Sequence, residues 1–301
     1  MTEKLLRFAA RLFAALPLGL NRHIGAGIGH LNWLCGSKLR YDSQSNLRLA
    51  FPDMPNDERR ALARASLVDT GRMLAETPWV WLRPPEQSLA RIRNLEALAT
   101  LKERLAEGRG AIIATPHIGN WELCSAVMAT AAPLVYFYKA QRDAGMDAFV
   151  SESRARMGGR GVPLDTGGIR EGLKCLRRGE LLGILPDQEP ESGVFAPFFA
   201  EPALTMTLIS KLARRSGAPV MFCAMEREHE TGGWRLHLLD ADPDVAHEDD
   251  VVAAAALNRS IARCVAINPV QYLWDYRRFT HMPDGGHRDY RGARKSIESH
   301  P

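Results

Sequence analysis

The chain is short of paired cysteines. Its 301 residues hold five, Cys35, Cys124, Cys175, Cys223 and Cys264, widely scattered and with no C-x-x-C pair. A disulfide framework and a zinc knuckle are both disfavoured, and a reduced, cytosol-facing chain is expected. A large charge excess is missing too: 39 Lys plus Arg face 35 Asp plus Glu, a net of +4. That excess is too small to argue for nucleic acid, and no nucleic-acid partner is expected. No G-x-S-x-G elbow, no phosphate-binding G-x-x-x-x-G-K-[ST] loop and no H-E-x-x-H helix occurs, which removes the esterase, P-loop and zincin chemistries. There is no repeat and no low-complexity tract. What remains, 46% hydrophobic and 25% charged, is the balance of a globular protein able to bury a core.

The charge is unevenly placed. Residues 1–50 carry seven basic groups against two acids, a net of +5, whereas residues 240–250 carry six acids and no Lys or Arg. The basic N-terminus is also the most apolar region. Arg7, Arg11 and Pro17 interrupt its run, which argues against a cleaved signal and against a span of about 20 apolar residues. Leu5, Phe8, Leu12, Ala15 and Leu16 share one helical face, with Lys4, Arg7 and Arg11 near another. A helix of that kind lies in the headgroup plane of an anionic membrane. The interfacial reading is preferred, with a true or re-entrant span and a plain core helix as alternatives. Gly25-x-x-x-Gly29 suits either a close helix crossing or a turn.

Further along, helical spacing begins at Asn56, the expected N-cap, and runs to about Trp81 before Pro84-Pro85. Helices are predicted over 94–107, 120–131, 146–157, 168–178, 205–216 and 249–267. Strands are predicted over 111–114, 134–138, 181–185, 220–225 and 234–239. Strands alternating with helices define an α/β fold, a mostly parallel central sheet flanked by helices. The expected organisation is an N-terminal membrane-associating helical segment (1–50), an α/β domain (51–285) and a polar tail (286–301).

In such sheets ligands bind beyond the carboxyl ends of the strands. Two strand ends carry reactive groups. After 111–114 come His117, Asn120 and Glu122. With Asn120 capping the next helix, His117 and Glu122 can share one mouth. Glu122 would then hold Nδ1–H while Nε2 takes a proton from a hydroxyl. On spacing alone, a capping or core histidine is the more ordinary reading of an H-x4-E string. After 181–185 come Asp187, Gln188 and Glu189. Asp187 can orient a cationic partner or a substrate hydroxyl, and an ordinary polar loop serves the pattern as well. Residues 247–250, His-Glu-Asp-Asp, look like metal ligands, but acids at a helix start are ordinarily there for the dipole. Cys124 reads as core.

The string TPHIGNWEL at 115–123 resembles the H-x4-[DE] box of the glycerolipid and lipid A acyltransferases. Residues 181–221, 268–286 and 40–59 resemble further blocks of the late lipid A acyltransferases, the lauroyl and myristoyl transferases. The resemblance runs from about residue 5 to 285. It implies direct acyl transfer with no acyl-enzyme and no metal or organic cofactor. His117 and Glu122 would be catalytic. Arg154, with Arg156 as rival, would bind an acceptor phosphate or the developing oxyanion. Asp187, Asn120, Lys139 and Gln188 would complete the substrate contacts. The implied donor is acyl–acyl carrier protein, docked on Arg177, Arg178, Lys211, Arg214 and Arg215. The implied acceptor is a Kdo-bearing lipid A precursor, and the implied location is the cytoplasmic face of the bacterial inner membrane. Two departures bear on the acceptor. Tyr138-Lys139-Ala140 stands where the family often has Tyr-Arg-Pro, and Phe198-Phe199-Ala200 stands for Phe-Phe-Gly. A lysophospholipid or aminolipid acceptor is the alternative.

Overall fold

The computed structural model describes residues 3–140 and 143–290. Residues 291–301, most of the expected polar tail, lie outside the described part.

Pro17 cannot continue a helix, and it divides the apolar N-terminus into α1 (Glu3–Ala15) and α2 (Leu18–Leu34). Among the described residues no helix is long and apolar enough to cross a membrane. On α1, Ala10 and Ala14 are buried, while Leu5, Phe8 and Leu12 of the predicted apolar face point to solvent. The exposed stripe continues along α2 through Leu20, Ile28, Leu31 and Leu34. α3 (Lys38–Ala50) follows, capped by Ser37, and then the long α4 (Asn56–Leu82). Pro55, not Asn56, occupies the cap of α4; Asn56 is already helical and its Oδ1 accepts from Arg59. The Gly25/Gly29 pair proves to be a helix crossing. A Cβ on Gly25 would stand 2.3 Å from the Gly71 carbonyl oxygen, and one on Gly29 would stand 2.5 Å from the Val68 Cα. Backbone thus meets backbone where α2 crosses α4.

The short α5 (Pro85–Leu89) and β1 (Ile92–Arg93) lead to α6 (Leu98–Ala106). The predicted 94–107 helix is therefore preceded by a 3-10 turn over Leu95–Ala97, which Asn94 enters in the left-handed region (φ 64°). β2 (Ala111–Ala114), α7 (Glu122–Ala129), β3 (Leu134–Tyr138) and α8 (Ala144–Arg156) come next. They are followed by β4 (Gly159–Pro163), α9 (Thr166–Arg177) and β5 (Leu181–Ile184). A hairpin of β6 (Val194–Phe198) and β7 (Glu201–Thr205) precedes α10 (Leu208–Ser216). β8 (Val220–Arg227), β9 (Trp234–Asp240) and α11 (Asp250–Ile267) complete the order.

The main sheet runs β1-β9-β8-β2-β5-β3-β4, parallel except for the antiparallel β8–β9 pair. Both faces are covered, so its central strands read as continuous apolar runs. In β2, Ile112 and Ala114 join a core with α4, α9, α10 and α11. Ala111 and Ile113 join the opposite core with α6 and α7. The pleat sends successive residues to opposite sides.

β1, β4 and the β6–β7 hairpin were not anticipated from sequence. β4 reads Gly-Arg-Gly-Val-Pro at the sheet edge, where Gly and Pro are tolerated. In the hairpin Pro197 faces Pro202, and the turn holds Phe199 at φ 57°.

Candidate active site

β2 and β5 are neighbours, with Ala114 level with Ile184. His117 and Asp187 each lie three residues beyond the end of their strand, so the two loops leave the sheet side by side. Asp187 binds the histidine twice. Its Oδ2 accepts the His117 backbone N–H at 2.8 Å, and its Oδ1 lies 2.7 Å from Nδ1. Asp187 is 2% exposed. Burial pushes its carboxyl up, but the facing imidazole and the hydrogen bonds from His117 outweigh this and hold it below the ordinary carboxylate range.

The loop is tied on its other side as well. The Leu273 N–H donates to the His117 carbonyl, the Gly119 N–H to the Gln271 carbonyl, and the Asn120 N–H to the Met225 carbonyl. Gly119 has φ 60°, and a Cβ there would meet the Met225 oxygen at 1.9 Å. Only glycine fits. The Trp121 ring packs edge-on to the imidazole at 4.7 Å.

Glu122 does not make the expected hydrogen bond to Nδ1. It opens α7 and turns toward α8 and α4. Arg154 Nη2 and Nε grip its two oxygens at 2.6 and 2.9 Å, and Trp81 Nε1 donates at 3.1 Å. Burial again pushes its carboxyl up, but the Arg154 charge and its hydrogen bonds hold it low. Glu122 is thus an anion whose hydrogen-bonding capacity is largely taken, and the orienting contact on His117 belongs to Asp187.

The other predicted residues fall as follows. Arg154 faces the site, bidentate on Glu122, whereas Arg156 is exposed. Asn120 is not the side-chain cap of α7: Trp121 occupies that position without a capping bond, and Asn120 Nδ2 instead donates to Glu76 at 2.9 Å. Gln188 Nε2 lies 3.4 Å from His117 Nε2, a loose contact at the edge of the ring. Lys139 is not drawn to the histidine. It sits on the surface, paired with Glu191 at 2.6 Å. Asp249, in the acidic string, caps α11 by accepting from Val251 and Val252.

Sequence reasoning missed Trp81 and the layer behind the loop. Glu76 of α4 accepts from Arg227, Arg22, Trp234 and Asn120, and Arg227 also binds Asp69. Gln271 clips the Arg227 backbone through both ends of its amide. Local spacing offers Arg72, four residues before Glu76 on the same helix, as its partner, but Arg72 turns to Asp69 and the arginines on Glu76 come from α2 and β8.

Beside the site lies a narrow slot of about 40 Å³, bounded by Glu122 and Arg154 and walled by Ile113, Met128, Tyr136 and Gly183. It is chiefly apolar and runs between the sheet and α7. A histidine with one nitrogen fixed on a carboxylate and the other nearly free can accept a proton from a hydroxyl.

The chain is an α/β fold with a carboxylate-held histidine at the ends of two adjacent parallel strands and no nucleophile elbow in its sequence. The family description for bacterial lipid A biosynthesis acyltransferases matches residues 3–281, and the chain belongs to that family. It is an O-acyltransferase. It is similar to the lipid A biosynthesis lauroyltransferase of Escherichia coli K12, 28% identical over 91% of this chain and 90% of that protein. The palmitoleoyltransferase of the same organism is 28% identical over 91% and 89%, and the myristoyltransferase is 24% identical over 87% and 81%.

Proposed function

We propose that this enzyme transfers a fatty acyl chain from an acyl–acyl carrier protein to a hydroxyl of a lipid A precursor, with His117 as general base. The observation that carries the mechanism is the double hydrogen bond of Asp187 on His117, which leaves Nε2 for the acceptor. Nε2 takes the hydroxyl proton as the oxygen attacks the thioester carbonyl carbon. The tetrahedral oxyanion collapses, the C–S bond breaks, and the imidazolium returns its proton to the departing thiolate. Asp187 keeps the tautomer and stabilises the imidazolium. Glu122 adds negative charge close by, and its grip on Arg154 keeps that charge fixed. The apolar slot beside Glu122 and Arg154 is the natural place for the acyl chain, once its side chains part.

The acceptor reading is supported by relatives named for lipid A biosynthesis, and it accords with the apolar stripe of α1 and α2, which suits docking on a membrane surface. Arg177 and Arg215 are exposed and suit an acidic carrier protein, whereas Arg178 is already paired with Glu171 and Glu180. The test offers a mixed set of acyl–carrier-protein donors, a Kdo-bearing tetraacyl lipid A precursor and a lysophospholipid side by side, with products read by mass. A chain added to the lipid A precursor alone is expected. A chain added to the lysophospholipid alone overturns the acceptor and keeps the reaction.

A further inference from the structure

A pocket of about 760 Å³ lies away from His117. It lies where the α1–α2 turn meets the end of α4 and the start of β1. Three arginines line it, Arg22, Arg83 and Arg91, together with Trp79, Gln87 and Gly19, and no carboxylate lines it. The positive charges are stacked on one aromatic wall. The Arg83 and Arg91 guanidiniums lie 5.2 and 5.7 Å from the Trp79 ring centre. Trp79 in turn packs against Trp234 at 6.4 Å, and Arg22 sits 4.9 Å over Trp234.

The balance of these charges is uneven. Arg22 is matched by Glu76. Arg83 spends its hydrogen bonds on neutral oxygens, the carbonyls of Ala14 and Ala15, with a weak 3.4 Å contact to Gln87. Arg91 is exposed, with its guanidinium over Trp79. Two guanidiniums sharing one ring repel each other unless an anion sits between them. Pro17, Leu18 and Gly19 at the start of α2 also line the pocket, where Pro17 supplies no side-chain cap, so the positive end of the helix dipole lies beside the same space. Exposed Leu12 and Leu20 flank the turn.

We infer that this pocket binds a phosphate group, held by Arg91 and Arg83 against Trp79 beside the start of α2. Arginine forks match phosphate oxygens better than any other side chain. Two sources share that chemistry, the phosphodiester of an anionic phospholipid headgroup and free phosphate. The site is separate from the acyl-transfer reading and stands or falls without it.

The test is titration calorimetry of the whole protein with dihexanoyl phosphatidylglycerol below its micelle concentration, with inorganic phosphate, and with zwitterionic dihexanoyl phosphatidylcholine. The phosphatidylglycerol is expected to bind saturably and more tightly than the phosphatidylcholine. Arg91→Glu is expected to weaken it by at least about tenfold and Arg91→Lys by less. Lys102→Glu, the same charge change on exposed α6, is expected to leave it unaltered. Melting curves check the fold, since the Arg91 side chain is exposed and its carbonyl bond from Trp234 survives substitution. Tighter binding of the phosphatidylglycerol assigns the lipid headgroup; equal or tighter binding of inorganic phosphate assigns the free ion, and both uphold the site. The inference is overturned by absence of saturable binding of both phosphatidylglycerol and inorganic phosphate, or by equal losses in Arg91→Glu and Lys102→Glu.

Discussion

Two buried groups of charges lie back to back across the His117 loop, and they are built differently. Behind the loop, Glu76, Arg227, Asp69 and Arg22 are almost wholly sealed. Every guanidinium there meets a carboxylate, and Glu76 also receives Asn120 and Trp234. In front of the loop, Asp187 and Glu122 are as well buried and as well held, but His117 keeps Nε2 with nothing nearer than the 3.4 Å contact to Gln188. Burial and shifted acidity are therefore common to both groups and mark neither one as reactive. The distinguishing feature is the ring nitrogen Nε2. Behind the loop each charge meets an opposite charge and the cluster ties α2, α4 and β8 together, whereas Nε2 can accept a proton.

That contrast can be broken from either side. The largest effect is expected from His117→Ala, which should slow acyl transfer by roughly 10²–10⁴-fold in a single-turnover assay, with a stability cost of about 1–3 kcal/mol from leaving one oxygen of buried Asp187 unpaired. Glu76→Ala should act chiefly on stability, costing about 3–5 kcal/mol in denaturant titrations by leaving buried Arg227 and Arg22 unmatched. The same cluster sets an acid limit. Burial pushes Glu76 up, but Arg227 and Arg22 hold its carboxyl at about 2 against an ordinary 4.5. Its contribution is thus complete above pH 4.5 and is lost as pH falls toward about 2. Circular dichroism across that window should show parent and Glu76→Gln converging in stability as the pH drops. A smaller effect is expected from Glu122→Gln, which leaves Arg154 with a neutral partner and should lower the rate about tenfold with little change in KM. Lys139→Ala should shift the melting temperature immeasurably, because its pair with Glu191 is fully at the surface.

Much of the fold was legible because its central strands are apolar runs stopped by glycine, as in Leu181–Ile184 after Gly179. The edges were not, since Gly159–Pro163 is composed like a loop and becomes a strand only by pairing with Leu134–Tyr138. The site was half legible for a related reason. His117 and Asp187 both stood out as polar groups closing apolar strands. Their meeting depends on β2 and β5 being neighbours, a relation between segments some 70 residues apart that no local spacing records. Glu122, five residues from His117, was the nearer partner in sequence and proved to belong to Arg154 and Trp81. Local spacing exaggerates sequence neighbours over sheet neighbours, and in a parallel sheet the sheet neighbours dominate.

The central claim is that Asp187, rather than Glu122, orients His117. The direct measurement is the nitrogen NMR spectrum of the histidine rings in protein labelled at histidine, with the His117 signals assigned by their loss in His117→Gln. In the parent, Nδ1 should carry the proton and Nε2 should be the free nitrogen. Asp187→Leu should abolish that tautomer preference and Glu122→Gln should preserve it. A spectrum in which Glu122→Gln shifts the tautomer and Asp187→Leu leaves it intact would contradict the account.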